Sequence, residues 1–260
     1  MGSTTIFVIE VKSEGLVAEL RLNGATVFEE LGGGPRFLQT KLDPYVVEGE
    51  NTLDVVLGPP PPPEGSPAPP PPAKAFSLRV FSTEWGVAGP DEPLAGFAFD
   101  EGDHPLPDRG SAPVARLAFT PAAAHGRWAW QDARPFGPGD EGDAIALVLD
   151  VHRALAARDA GAIDAITEVK MTELGRALDV PADELRADQR AHYAQYFGAP
   201  DYRVAPLDPT RLRLVPSDDG RLVRVVDAAG GPPLRASGGG KRFALGLTLS
   251  HVEGGFRVVR

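Results

Sequence analysis

The chain contains no cysteine. Disulfides, thiolate metal sites and a cysteine nucleophile are therefore excluded. Long apolar runs are missing too. The first apolar stretch, Ile6 to Ile9, is too short for a signal-peptide core and follows no basic segment. No run reaches the length of a membrane-spanning helix. A soluble, cytoplasmic protein of bacterial type is the expectation. An excess of positive charge is also lacking, with 36 acidic side chains against 26 basic ones and a net charge of −10. Phosphate backbones need a positive field, so neither general nucleic-acid binding nor membrane association is expected.

Motifs that announce chemistry are absent as well. There is no P-loop, no G-x-S-x-G, no H-E-x-x-H and no Rossmann fingerprint. Gly238-Gly239-Gly240-Lys241 has the residue types of a phosphate loop without the Walker spacing, and it reads as a turn between two strands. The five histidines, at 104, 125, 152, 192 and 251, include no pair at metal-ligand spacing on one helix or strand. No metal and no cofactor are expected, and no internal repeat is apparent.

With 260 residues the chain has room for two domains of ordinary size. The first 136 residues read as all-β. Strand-like segments fall at 5–11, 16–22, 26–28, 37–42, 53–57, 76–81 and 114–119. Asn23-Gly24 between alternating runs marks a type I′ hairpin turn, which needs positive φ at both positions. Residues 59–72 hold ten prolines in fourteen positions. Such a segment cannot donate to a sheet ladder and favours polyproline II. It reads as a long loop inside the β-domain, because strand-like sequence resumes after it. Residues 83–113 are rich in Gly, Pro and Asp and read as irregular. Arg127-Trp128-Ala129-Trp130-Gln131 reads as a strand with both tryptophans on one face.

The period changes from 2 to 3.6 after residues 136–140. Ile145, Val148, Leu149, His152, Leu155 and Ala156 form one face of an amphipathic helix. A second helix is expected over 163–178, and a third from Pro181 to Phe197. Period 2 returns at Tyr202, with strands expected at 202–205, 211–215, 221–227, 241–250 and 255–259. Helices followed by antiparallel strands make an α+β domain over residues 140–260. The charge is uneven: residues 1–139 sum to −8, residues 140–200 to −6 and residues 201–260 to +4. The last stretch either balances the acidic helices or prefers an anionic ligand.

Two resemblances follow. Residues 42–55, Leu42-Asp43-Pro44-Tyr45-Val46-Val47-Glu48-Gly49-Glu50-Asn51-Thr52-Leu53-Asp54-Val55, resemble a turn-plus-strand of galactose-binding-like β-sandwich domains. This implies a jelly-roll-like sandwich and carries no sugar-site residue with it. The segment His152 to Asp159 with Ile163, and the closing hairpin Leu247 to Val258, are similar to the first helix and last strands of NTF2-like (cystatin-like) α+β domains. That implies helices packed on a curved antiparallel sheet, here without the usual strand between the second and third helices. The family includes hydratases, isomerases, ligand carriers and interaction modules, so the fold does not fix the function.

Three functional expectations result. The first is a non-enzymatic protein-binding module, immunity- or adaptor-like, whose acidic surface takes a basic protein partner. The second is a deep NTF2-like pocket lined by His152, Tyr193 and Phe243, with His152 as general base beside Asp159 or Tyr193. A His152 bonded to a backbone carbonyl would be structural instead. The third is carbohydrate binding by the sandwich, which needs Trp128 and Trp130 exposed. His192, Tyr193, Tyr196, Phe197 and Tyr202 form an aromatic cluster read first as core.

Overall fold

In a computed structural model the alternating segments of the first half become eight strands. Residues 5–30, 34–60, 74–84, 87, 89, 90, 92–100 and 113–260 are described. The proline-rich loop beyond Pro60 and much of the expected irregular stretch, His104 included, lie outside the described residues. The chain divides into two compact units, residues 1–126 and 127–260.

The first unit contains β1 (Thr5–Glu14), β2 (Val17–Leu22), β3 (Ala25–Glu30), β4 (Arg36–Lys41), β5 (Asn51–Gly58), β6 (Ala75–Glu84), β7 (Ala95–Asp100) and β8 (Ala115–Phe119). They form two antiparallel sheets of order β4-β1-β6-β7 and β3-β2-β5-β8. Phe7, Ile9, Leu20, Leu53, Val55 and Val80 from both sheets bury together in one core, an arrangement compatible with a β-sandwich. The strands flanking the proline-rich stretch, β5 and β6, lie in different sheets of this same unit. Strand β7 corrects the irregular reading of residues 83–113. Phe97 and Phe99 alternate with Gly96 and Ala98, and β7 pairs with β6, but the surrounding Pro, Gly and Asp mask that short period.

Asn23 and Gly24 adopt φ of 52° and 79°, as the hairpin between β2 and β3 requires. Asn23 also serves a second junction. Its side chain donates to the Tyr45 carbonyl at 2.9 Å and to Asn51 Oδ1 at 2.9 Å, and accepts from the Thr52 N–H at 3.0 Å. Asn51 is fully buried. Its amide accepts from the Val47 N–H at 2.8 Å and donates to the carbonyls of Val47 and Gly49 at 2.9 and 3.1 Å. The Gly-x-Asn sequence is therefore a folded turn: Gly49 supplies φ of +85° and Asn51 satisfies the backbone that the turn leaves unpaired.

The second unit contains α1 (Glu141–Ala156), α2 (Ala160–Ile166), α3 (Glu168–Leu178) and α4 (Ala182–Phe197). Seven strands follow: β9 (Arg203–Val204), β10 (Arg213–Pro216), β11 (Val223–Val226), β12 (Leu234–Gly238), β13 (Lys241–Leu245), β14 (Leu247–Val252) and β15 (Gly255–Val258). They make two antiparallel sheets, β10-β11-β14-β15 and β13-β12-β9. Val148, Val151 and Leu155 of α1 bury against Val223, Val225 and Leu249. The all-β and α+β halves expected from periodicity are both present.

Several local readings change. The single helix expected over 163–178 is two, because the chain breaks at Thr167, whose hydroxyl donates back to the Ile163 carbonyl at 2.8 Å. The single strand expected over 241–250 is also two. It breaks at Gly246, so β13 and β14 belong to different sheets, with Phe243 and Leu245 in one and Leu247 and Leu249 in the other. Strand β12 was not anticipated.

The tryptophan segment falls in the second compact unit, and it is not a strand. Ala129–Asp132 is a 3₁₀ turn, with Trp128 and Trp130 only 1% and 4% exposed. The buried carboxylate of Glu173 on α3 fixes it, accepting from the Ala129 N–H and, at 2.7 Å, from Arg260. The Arg260 and Arg176 guanidinium groups stand 4.7 and 4.9 Å from the Trp128 ring. Among the described residues no helix is long and apolar enough to cross a membrane.

The buried amide of Asn51 makes a direct prediction. Asn51→Ala removes the bonds that its amide makes to Val47 and Gly49 and leaves Asn23 with one partner fewer, which should cost about 2–4 kcal/mol. Urea unfolding of the purified variant measures this. A loss below about 0.5 kcal/mol would show that the turn holds itself without the amide.

Candidate functional site

The helix α4 is amphipathic in an unusual sense: its buried stripe is aromatic. Tyr193, Tyr196 and Phe197 project from it, and Tyr202 follows at its end. The Tyr193 and Phe197 rings stack at 5.4 Å, Phe197 meets Tyr202 edge-on at 5.1 Å, and Tyr196 lies 4.6 Å from Phe243 of β13. Val204, Ala236 and Phe243, which are cross-strand partners, pack into this cluster. One face of the β13-β12-β9 sheet is thus committed to α4. Gly238 makes the close approach possible, since a Cβ there would stand 3.1 Å from the Tyr196 carbonyl and 3.2 Å from the Tyr202 Cα. The glycine run closes the β12–β13 hairpin, with Gly239 and Gly240 at φ of +59° and +73°.

Strand alternation then decides what the other face carries. Arg203, Ser237 and Arg242 are cross-strand partners in one row. Ala205, Arg235 and Ala244 form the next, joined by the Ala205 N–H donating to the Arg235 carbonyl at 2.8 Å. These residues, with Pro206, line an open groove of about 570 Å³. Its walls are largely apolar because alanine and serine leave the sheet itself as the floor. Arg235 is turned to Asp227 at 2.5 Å. Among the described residues no carboxylate lies within ion-pair distance of Arg203 or Arg242, although Arg203 lowers the Asp201 pKa from further away.

The sequence-derived candidates fall differently. His152 is half-buried on α1, and its Nε2 lies 3.0 Å from the carbonyl of Ala205, a groove residue. This contact is the backbone-carbonyl bond of the second reading, and it ties α1 to the groove wall. Asp159 is exposed and caps α2, accepting from the Ala162 N–H at 2.9 Å. Tyr193 is buried in the core, and burial pushes its phenol up to about 12, with smaller contributions from Tyr202 and Asp164. No hydrogen bond joins His152, Asp159 and Tyr193 among the described residues. Phe243 lies at the groove, but its ring belongs to the aromatic cluster beneath the sheet. Trp128 and Trp130 are buried, so neither offers the exposed platform that carbohydrate stacking needs.

Arg203, Ser237 and Arg242 were missed as a site. Two signals pointed toward them: the +4 charge of the last 60 residues and the alternation in Leu234-Arg235-Ala236-Ser237. A second pairing had no local signal. Asp43 in the first unit, 1% exposed, lies 2.7 Å from His125 Nε2 and accepts from the Phe7 N–H at 3.1 Å. Its partner is 82 residues away, and Asp43-Pro44 reads locally as a turn. No cluster of metal-ligating side chains occurs among the described residues.

No protein-family model, no curated protein and no solved structure matches the chain.

Burial of the Tyr193 phenol implies a pH dependence. Its folded pKa, about 12, lies above the ordinary value of 10.0. Its contribution is therefore fully present below pH 10 and is lost as pH rises through about 12. The slope should reach about 1.4 kcal/mol per pH unit, lessened in Tyr193→Phe to what Tyr202 contributes. Denaturant midpoints collected across this alkaline range test it. Parallel curves for the two proteins would mean that Tyr193 ionises as freely folded as unfolded.

Proposed function

We propose that the chain is a non-catalytic ligand-binding protein whose recognition site is the groove over β9, β12 and β13. The observation that carries this is the division of labour across one small sheet. Its inner face is filled by α4 aromatics, while its outer face presents an apolar floor edged by three arginines, of which Arg203 and Arg242 have no ion-pair partner among the described residues. In this reading His152 positions the wall at Ala205 and is not a base. The groove has the size of a small-molecule site. The order of helices then antiparallel strands supports an NTF2-like (cystatin-like) second domain, and the two four-stranded sheets over one core support a jelly-roll-like first domain. A cytoplasmic location belongs to the same proposal.

A second reading keeps the protein-binding module, immunity- or adaptor-like, and rests on a different surface. Strand β4 is the edge of its sheet, and it leaves Phe37 62% and Leu38 38% exposed. Exposed edge strands with apolar side chains invite pairing with another chain.

A thermal-shift screen of the full chain against a small-molecule library tests the lead reading. Stabilising compounds are expected for the wild type and should be lost in Ala244→Trp, which fills the groove from an exposed strand position. Hits that survive Ala244→Trp would move the site elsewhere. A shift abolished instead by Phe37→Asp would favour the edge-strand surface.

A further inference from the structure

We infer that the row Arg203, Ser237 and Arg242 is a seat for a phosphate monoester carried on a compact apolar body; this rests on the groove reading above. The three residues occupy adjacent strands in register, so their side chains rise from the same face. Strands in a sheet lie about 4.8 Å apart, which places the two arginine backbones about 10 Å apart with the serine hydroxyl between them. Two guanidinium groups on long stems can close over that hydroxyl from either side.

The charges favour a dianion. Arg235 is neutralised by Asp227 and takes no part. Asp201, two residues before Arg203, accepts from the Gly239 N–H at 2.8 Å. Arg203 and Arg242 have no ion pair among the described residues, and the ionised Asp201 offsets only part of the Arg203 charge, from beyond ion-pair distance. A phosphate monoester brings a charge approaching −2 and three acceptor oxygens. It can accept from both guanidinium forks and from the serine hydroxyl at once. A carboxylate, with one charge and two oxygens, is satisfied by a single arginine fork and leaves the second guanidinium uncompensated. The remainder of the ligand meets Ala205, Pro206 and Ala244, which offer contact area without polar partners. That favours an apolar body over a sugar or a polar chain.

Calorimetric titration of the full chain with phenyl phosphate, inorganic phosphate, benzoate and benzyl alcohol separates these contributions. Phenyl phosphate should bind at least tenfold more tightly than benzoate or inorganic phosphate. Arg203→Gln and Arg242→Gln should each weaken it by about ten- to a hundredfold, and Ser237→Ala by severalfold. Arg203→Lys and Arg242→Lys keep the charge, lose the fork and should fall between. All four positions changed here are exposed or half-exposed, and circular dichroism with matched melting curves confirms folding; the lysine variants stand in if a glutamine variant does not fold. Equal affinity for phenyl phosphate and benzoate, or phenyl phosphate affinity unchanged in the double glutamine variant, overturns the inference. Binding of benzyl alcohol or of neutral screening hits, lost in Ala244→Trp, with none of phenyl phosphate overturns it too but leaves the groove reading standing. No binding by any probe or screening hit overturns both.

Discussion

The second unit depends on the contact between the end of α4 and the glycine at the end of β12. Gly238 has no side chain, so the Tyr196 backbone and the Tyr202 ring approach to within van der Waals distance of the strand. The Tyr202 hydroxyl then donates to the Leu155 carbonyl at the end of α1, at 3.0 Å. One aromatic side chain thereby joins two helices to a sheet. A larger residue at 238 would push β12 off α4 and carry β9 and β13 with it, since both pair only through β12. The composition of the outer face matters for function because the inner face is fixed in this way. With Val204, Ala236 and Phe243 committed to packing, the intervening residues have no choice but to face outward.

What the sequence made legible, and what it did not, divides along the range of the interactions. The Asn23-Gly24 hairpin, the strand periodicity of β1, β2, β5 and β6, and the start and end of α4 are local. Their signals sit within a few residues, and they were readable. The failures are tertiary. Trp128 and Trp130 alternate as strand residues do, yet a 3₁₀ turn forms because Glu173 and Arg260, distant in sequence, supply the hydrogen bonds and the cation that bury Trp128. The run from Lys241 to Ser250 has continuous period 2, and only the competition of two sheets for its two halves reveals the break at Gly246. Strand β7 was hidden by its neighbours' composition, although its own alternation of small and aromatic residues is clear in retrospect.

The candidate site shows the same division. His152 was noticed because it lies on an apolar helix face, and that placement is correct. What periodicity does not report is what the imidazole meets. Its Nε2 meets the Ala205 carbonyl, 53 residues onward. Tyr193 and Phe243 were chosen as pocket walls from the same cluster that turned out to fill the space beneath the sheet. Aromatic residues at helical spacing say that something is packed there; whether it is protein or ligand depends on what the fold brings opposite.

Net charge is a poor guide to a site on a chain built this way. Most of the negative charge lies in the first 200 residues, much of it on helix surfaces and in ion pairs such as Arg153 with Asp150 and Arg186 with Asp183. Exposed pairs of that kind are nearly neutral in their effect on a partner at close range, because salt and the paired charge screen them. A bound ligand instead feels the groups within a few ångströms. At the β9-β12-β13 face those are arginines, one neutralised by Asp227 and two without an ion-pair partner. A chain whose overall charge repels anions can still hold one there, because desolvation in a groove strengthens short-range attraction while distant charges decay over a Debye length. Selectivity then follows from the mismatch: the acidic surface lowers the on-rate of large polyanions, and the local arginine row rewards a small, compact dianion that can approach it closely.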